Sequence, residues 1–121
     1  IDEEYVLFPS DKARDKHRDD YTSFQNFKED VEKYFPNFNG VVGTAFYAEG
    51  QLQKLSIDIT IQFYGKAETI GFTQYVTGLV MQHFPDYITV EVSVSSVSGK
   101  EALIVREAGK KEEPFVHIFD M

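Results

Sequence analysis

Between Leu55 and Tyr64 the chain alternates without a break. Leu55, Ile57, Ile59, Ile61 and Phe63 interleave with Ser56, Asp58, Thr60, Gln62 and Tyr64. Successive side chains of a strand point to opposite faces, so this run predicts a half-buried strand with one dry face and one wet face. Ile88, Val90, Val92 and Val94, alternating with Thr89, Glu91, Ser93 and Ser95, predict another. A doubly wound parallel sheet is covered on both faces and needs continuous apolar strands. The sheet of this chain is therefore expected to be covered on one side only.

Helical spacing supplies the cover. Phe24, Phe27, Val31, Tyr34 and Phe35 draw one stripe, and Thr22-Ser23-Phe24-Gln25 reads as a capping box in front of it. Pro36 disfavours helical geometry at Phe35 and ends that helix. A second helix is expected over residues 67–84 from Phe72, Tyr75, Val76, Leu79, Val80 and Phe84. Gly71 and Gly78 lie seven apart on it, a spacing that suits close packing on a sheet.

The remaining segments fall between these elements. Residues 1–9 read as an edge strand (Tyr5–Phe8) stopped by Pro9, which cannot donate to a ladder. Residues 10–21 carry charge without apolar periodicity, and the like-charged pairs Asp11/Asp15 and Lys12/Lys16 oppose a helix. A solvated linker is expected there. Val41–Ala48 is a strand before the Glu49-Gly50 turn, and Ala102–Arg106 follows the Ser98-Gly99 turn. Residues 108–121 make a polar loop and a last strand or arm from Phe115 to Phe119.

Sliding the chain by 49 aligns the segment from Phe24 with that from Thr73. Gln25/Gln74, Val31/Val80, Phe35/Phe84, Pro36/Pro85, Val41/Val90 and Gly50/Gly99 are identical. Duplication and chance both fit six matches over 28 positions. The organisation is then one domain, 1–121: edge strand, linker, an αββ unit at 22–64, another at 65–107, and the C-terminal loop and strand. The expected class is α+β, a ferredoxin-like βαββαβ sandwich with two helices on one face of an antiparallel sheet and an extra C-terminal strand.

Composition excludes more than it assigns. With no cysteine there is no disulfide framework, thiolate metal site or Cys nucleophile. Twenty acidic against twelve basic residues give a net charge of −8, which opposes sequence-independent nucleic-acid binding. That charge is spread: six basic and eleven acidic residues occupy 1–50, six and nine occupy 51–121. No apolar run is long enough to span a membrane. The start at Ile1 and the lack of cysteine point to an extracytoplasmic protein, secreted or a lipoprotein; an excised cytosolic domain is the other reading.

Candidate chemistry is sparse. Asp15, His17, Asp19 and Asp20 offer four ligands in six residues, but Lys16 and Arg18 are interleaved and the spacing is not that of an EF-hand. No metal and no cofactor are expected. His83 at a helix end is favoured by the macrodipole if protonated. His117 alternates between Val116 and Ile118 as a sheet residue. The serines 93, 95, 96 and 98 lack a nucleophile-elbow context. Gly40-Val41-Val42-Gly43 is too short for a phosphate loop; its glycines suit a turn and a close strand contact. Tyr64 and Tyr47 on the wet face, with Lys54, mimic the stacking platform of RNA-binding sheets. The signature of those sheets is absent, and Asp58 and Glu91 share that face.

No catalytic constellation emerges. The reading is a non-catalytic protein-interaction or assembly module, meeting a protein partner or another copy of itself through a sheet edge. Two alternatives stand beside it. One is an acidic inhibitor or immunity-type protein that blocks a basic enzyme. The other is a small-ligand-binding domain using Asp58, Tyr64, Glu91 and His83 as low-weight candidates.

Overall fold

A computed structural model describes residues 3–34, 40–62, 65–96, 99–109 and 114–119. Strand β1 (Glu3–Phe8) leads into two helices, α1 (Asp11–Lys16) and α2 (Arg18–Glu32). The hairpin β2 (Gly40–Ala48) and β3 (Gln51–Thr60) comes next. Helix α3 (Lys66–His83) then leads to a second hairpin, β4 (Thr89–Ser96) and β5 (Gly99–Arg106), and finally to β6 (Phe115–Ile118).

The six strands form one sheet in the order β1-β2-β3-β4-β5-β6. Every neighbouring pair is antiparallel except β3 and β4, which run parallel across α3. The α+β class, the one-sided helical cover and the extra C-terminal strand are as expected from the sequence. The sheet itself is mixed, and its strand order corrects the ferredoxin-like one. A split βαβ unit places a third strand between the two it joins. Here β3 and β4 are direct partners (Ile57 opposite Val92), and β1 lies antiparallel against β2 (Val6 opposite Ala45).

Alternation sets the core. Val6, Phe8, Val41, Ala45, Tyr47, Leu55, Ile57, Ile59, Val90, Val92, Val94, Ala102 and Ile104 are buried on one face. Over them lie Phe24, Phe27 and Val31 of α2 and Phe72, Thr73, Val76, Leu79 and Val80 of α3. Gly43 matters here because a Cβ on it would sit 3.0 Å from the Phe24 ring. The close strand contact expected of that glycine is corrected: its tight neighbour is a helix residue, and the adjoining strand stands at an ordinary 3.5 Å. The ladder of β3 ends at Thr60, although the Ile61 N–H still donates to the Ser95 carbonyl at 2.8 Å; the expected continuation to Phe63 and Tyr64 lies outside the described residues.

The linker expected at 10–21 is helical. Ser10 caps α1 by accepting from the Ala13 N–H at 3.1 Å, and Ala13 is fully buried. Oppositely charged Asp11 and Arg14 pair at i,i+3, a spacing the like-charged i,i+4 argument overlooks. Helix α2 therefore starts four residues before Thr22, and the expected capping box lies inside it. Gln25 Oε1 is buried there with no hydrogen-bond partner. The Phe35-Pro36 stop falls outside the described residues. Its counterpart holds: α3 ends at His83, and Phe84 is extended before Pro85.

Gly71 and Gly78 do not serve packing on the sheet. A Cβ at Gly71 would meet the hydroxyl group of Tyr34, two residues past the end of α2, at 2.8 Å, and Gly78 has open space beside it. What α3 carries is a column of threonines, of which Thr69 and Thr73 are buried and Thr77 is half-buried. The hydroxyls of Thr69, Thr73 and Thr77 each donate to the carbonyl four residues back, at 2.9, 2.7 and 2.8 Å.

Candidate functional site

The residues singled out in the sequence do not converge. Asp58 is exposed on the uncovered face of the sheet, opposite Ser93. Glu91 shares that face and is held by Lys54 Nζ at 2.7 Å. His83 lies on the helical side. Its Nε2 is 2.7 Å from Asp30 Oδ2 of α2, and its ring meets the edge of Phe27. Lys33 reaches the other Asp30 oxygen at 3.1 Å, and the Tyr75 hydroxyl donates to the Asp30 carbonyl at 2.7 Å. This cluster clamps α3 to α2. Bonding first to His83 and then to Lys33 holds the Asp30 carboxyl below its ordinary value. Tyr64 lies outside the described residues. Among the described residues no cluster of three or more His, Asp or Glu is placed to hold a metal ion.

A second polar chain, not foreseen, runs from β1 into the start of α2. Glu4 receives Lys12 Nζ at 3.0 Å on Oε2, and His17 Nε2 lies 3.0 Å from Oε1. Those two bonds, that of Lys12 first, hold the Glu4 carboxyl below its usual value. The His17 ring stacks on Tyr47, with centroids 3.8 Å apart and planes at 16°. Tyr47 is buried, and its hydroxyl donates to Asp20 Oδ2 at 2.8 Å. Burial, and secondarily that carboxylate, push the Tyr47 phenol far above its ordinary value, so it stays a donor. Two expectations are corrected here: Tyr47 faces the core and not the wet face, and His17 is an ordered joint between α1 and α2. The alternation Val41, Gly43, Ala45, Tyr47 already carried the first point. A tyrosine on a core face needs a partner for its hydroxyl, and that partner was the missing signal.

Asp20 opens on a groove of 320 Å³ lined also by Gly50, Gln51, Leu52 and Tyr87. The β2–β3 turn forms one wall. Its two residues, Glu49 and Gly50, both have positive φ (53° and 78°), as a two-residue hairpin loop requires. The other wall is the loop after α3, which Arg106 fixes from below. Arg106 is only 2% exposed; its Nη1 donates to the Phe84 carbonyl at 3.0 Å. Its Nη2 donates to the carbonyls of Pro85 and of Ile88, the latter at 3.1 Å. The Gly109 N–H adds a bond to the Asp86 carbonyl at 2.8 Å. Tyr87, at the apex of this pinned loop, remains 69% exposed. A further cavity of 490 Å³ lies between α3 and β6, lined by Gln74, Thr77, Gly78, Met81, Pro114 and Val116.

At the other side of the sheet, β1 presents apolar side chains to its uncovered face. Tyr5 is 71% exposed, Leu7 65% and Val42 of β2 53%. The Tyr5 ring rests 5.1 Å from Phe46, its cross-strand partner. With Thr44 opposite Leu7, these side chains form a contiguous patch along an edge strand.

A family model described as CamS, the sex pheromone cAM373 precursor, matches residues 1–112. Solved structures agree. A sex pheromone staph-cAM373 precursor superposes with a TM-score of 0.90 at 28% identity, over 98% of this chain and 42% of that one. The C-terminal domain of the staph-cAM373 precursor from Staphylococcus aureus gives 0.87 at 33% identity, over 100% of this chain and 36% of that one. A sex pheromone precursor from Lactobacillus salivarius subsp. salivarius UCC118 gives 0.88 at 30% identity, over 99% and 35%. The chain thus spans less than half the length of these relatives. No curated protein matches it.

Proposed function

The chain belongs to the CamS sex pheromone cAM373 precursor family, and from that membership we propose that it is a non-catalytic, protein-contacting domain of a longer extracytoplasmic precursor. The observation that carries this reading is the apolar patch of Tyr5, Leu7, Val42 and Phe46 on edge strand β1 and its neighbour. Contiguous exposed apolar surface beside an open strand edge suits a partner protein or a second copy. The two histidine–carboxylate pairs support the non-catalytic half: each spends its ring nitrogen joining elements, His17 to β1 and His83 to α2.

Among pheromone precursors, the inner strands of this domain would belong to the retained part and not to a released segment. Each of β2, β3, β4 and β5 is bonded on both sides, so excising any of them breaks two ladders.

The test is the double variant Tyr5→Lys, Leu7→Lys. Both positions are exposed, so its melting should stay close to that of the parent chain. In analytical ultracentrifugation the parent should associate with itself, or with the remainder of a family precursor added in trans, and the variant should not. A parent chain that stays monomeric at millimolar concentration and ignores the added remainder would overturn the reading.

A further inference from the structure

The groove at the start of α2 is built from both sides before any ligand arrives. On one side Asp20 is oriented by the Tyr47 hydroxyl at 2.8 Å, with Tyr47 itself held under His17. On the other, Tyr87 projects from a loop whose carbonyls at Phe84, Pro85 and Ile88 are tied to one buried guanidinium. Packing does not explain a largely exposed tyrosine on so constrained a backbone. A held carboxylate and an exposed aromatic side chain on a pinned loop line the same groove, a recognisable pairing of functions, one for charge and one for a cation's apolar flank.

We propose that this groove binds a primary ammonium group, supplied by a lysine side chain or by the amino terminus of a polypeptide. Among the described residues Asp20 is the one charged residue lining it, so an anion is repelled and a cation is paired. Asp86, beside Tyr87, adds to the negative potential. Arg106 spends its guanidinium on loop carbonyls beneath the surface, and Arg18 lies two residues before Asp20, on another side of α2.

The class of cation follows from the donor set. A divalent metal wants about six oxygen ligands, and a single carboxylate with one amide and a few carbonyls falls short. Guanidinium binds carboxylates through two parallel bonds and needs both oxygens. At Asp20 the Tyr47 hydroxyl already occupies one lone pair of Oδ2, which crowds a two-pronged donor there, whereas Oδ1 accepts no bond among the described residues and suits a single strong donor. An ammonium needs no fork. A volume of 320 Å³ accommodates such a group with several methylenes lying along Tyr87 and Leu52.

The experiment is an amide chemical-shift titration of the 121-residue chain with three probes. These are Nα-acetyl-lysine methylamide, glycylglycinamide and Nα-acetyl-arginine methylamide. The expected result is shifts at Gly50, Gln51, Leu52 and Tyr87 with millimolar affinity for an ammonium probe, and weaker binding of the arginine probe. Asp20→Asn keeps an oxygen for the Tyr47 hydroxyl, so the fold should survive. It should weaken binding by about tenfold or more, the worth of a charge-assisted hydrogen bond. Tyr87→Ala should weaken it several-fold. Binding of the lysine probe alone or of the terminal amine alone each supports the site and names its source. No shift with either ammonium probe at tens of millimolar, an unchanged affinity in Asp20→Asn, or arginine binding as tightly as lysine would each overturn it. The site stands apart from the β1 patch, so the Tyr5→Lys, Leu7→Lys variant should bind the probes as the parent does.

Discussion

Arg106 alternates in sequence with Ile104 and Ala102, and it takes its place in their buried row, opposite Val90. A cation in that row is tolerated because three carbonyls of one loop converge on it. Burial pulls its guanidinium below its ordinary value, and Asp86 works against that shift. Two effects compete when it is replaced by a methionine of similar length. Removing a buried charge is favourable, but the carbonyls of Phe84, Pro85 and Ile88 lose their donors, at about 1–3 kcal/mol for each one that water cannot reach. The loop is close to solvent, so part of that loss is recovered. Arg106→Met should therefore destabilise by about 2 kcal/mol in urea unfolding, and Arg106→Lys should recover only part. A methionine variant as stable as the parent would show that the carbonyls are solvated without Arg106. The alternation made the position of Arg106 legible in the sequence. Its partners were not, because they lie in a loop roughly twenty residues away with no periodic signal of its own.

Between elements, the join of α2 to α3 rests on Asp30, and that gives it a pH signature. The carboxyl is depressed in the folded protein by His83 first and Lys33 next. A depressed acid stabilises the fold above its unfolded value, about 3.9, and that contribution disappears as pH falls through the lower folded value. The gap in urea midpoint between the parent and Asp30→Asn should therefore hold steady down to about pH 5 and narrow as pH approaches about 2. A gap unchanged across that range would mean the carboxylate is not what joins the helices. Neither this clamp nor α1 was visible in the sequence, for related reasons. Helix α1 is fixed by Ser10, by the buried methyl of Ala13, and by Lys12 and His17 reaching Glu4 on β1. Only the Ser10 cap is local. The other contacts are tertiary, and charge patterning within 10–21 does not register them. His83 was singled out as a helix-terminal residue, but its partner lies 53 positions away.

Across the whole molecule, the offset of 49 found in the sequence recurs in three dimensions. Helix, strand, turn and strand follow twice, as α2-β2-β3 and α3-β4-β5. Phe24/Thr73, Phe27/Val76, Val31/Val80, Val41/Val90, Gly43/Val92 and Ala45/Val94 are buried in both units. Gly50 and Gly99 both have positive φ, and each hairpin shifts register close to its turn. Side-chain alternation tells which face of a strand is dry, but not which strand lies beside it. That is why the α+β class and the covered face were legible while the strand order was not. The real order makes a further prediction. The parallel pair β3·β4 joins the two units, and Leu55, Ile57, Ile59, Val90, Val92 and Val94 on it are fully buried. At the periphery β6 has four residues, bonds to β5 alone, and leaves Phe115, Val116 and His117 exposed. Local opening follows buried apolar contact, so exchange should be slowest in the middle of the sheet and fastest at its C-terminal edge. Hydrogen exchange followed by mass spectrometry should find residues 55–60 and 90–94 protected to the level of global unfolding. Residues 115–118 should exchange through fraying that leaves the rest intact. Protection of β6 equal to that of β4 would mean that the sheet opens as one unit, and that the α3–β6 cavity is sealed by more than the described residues lining it.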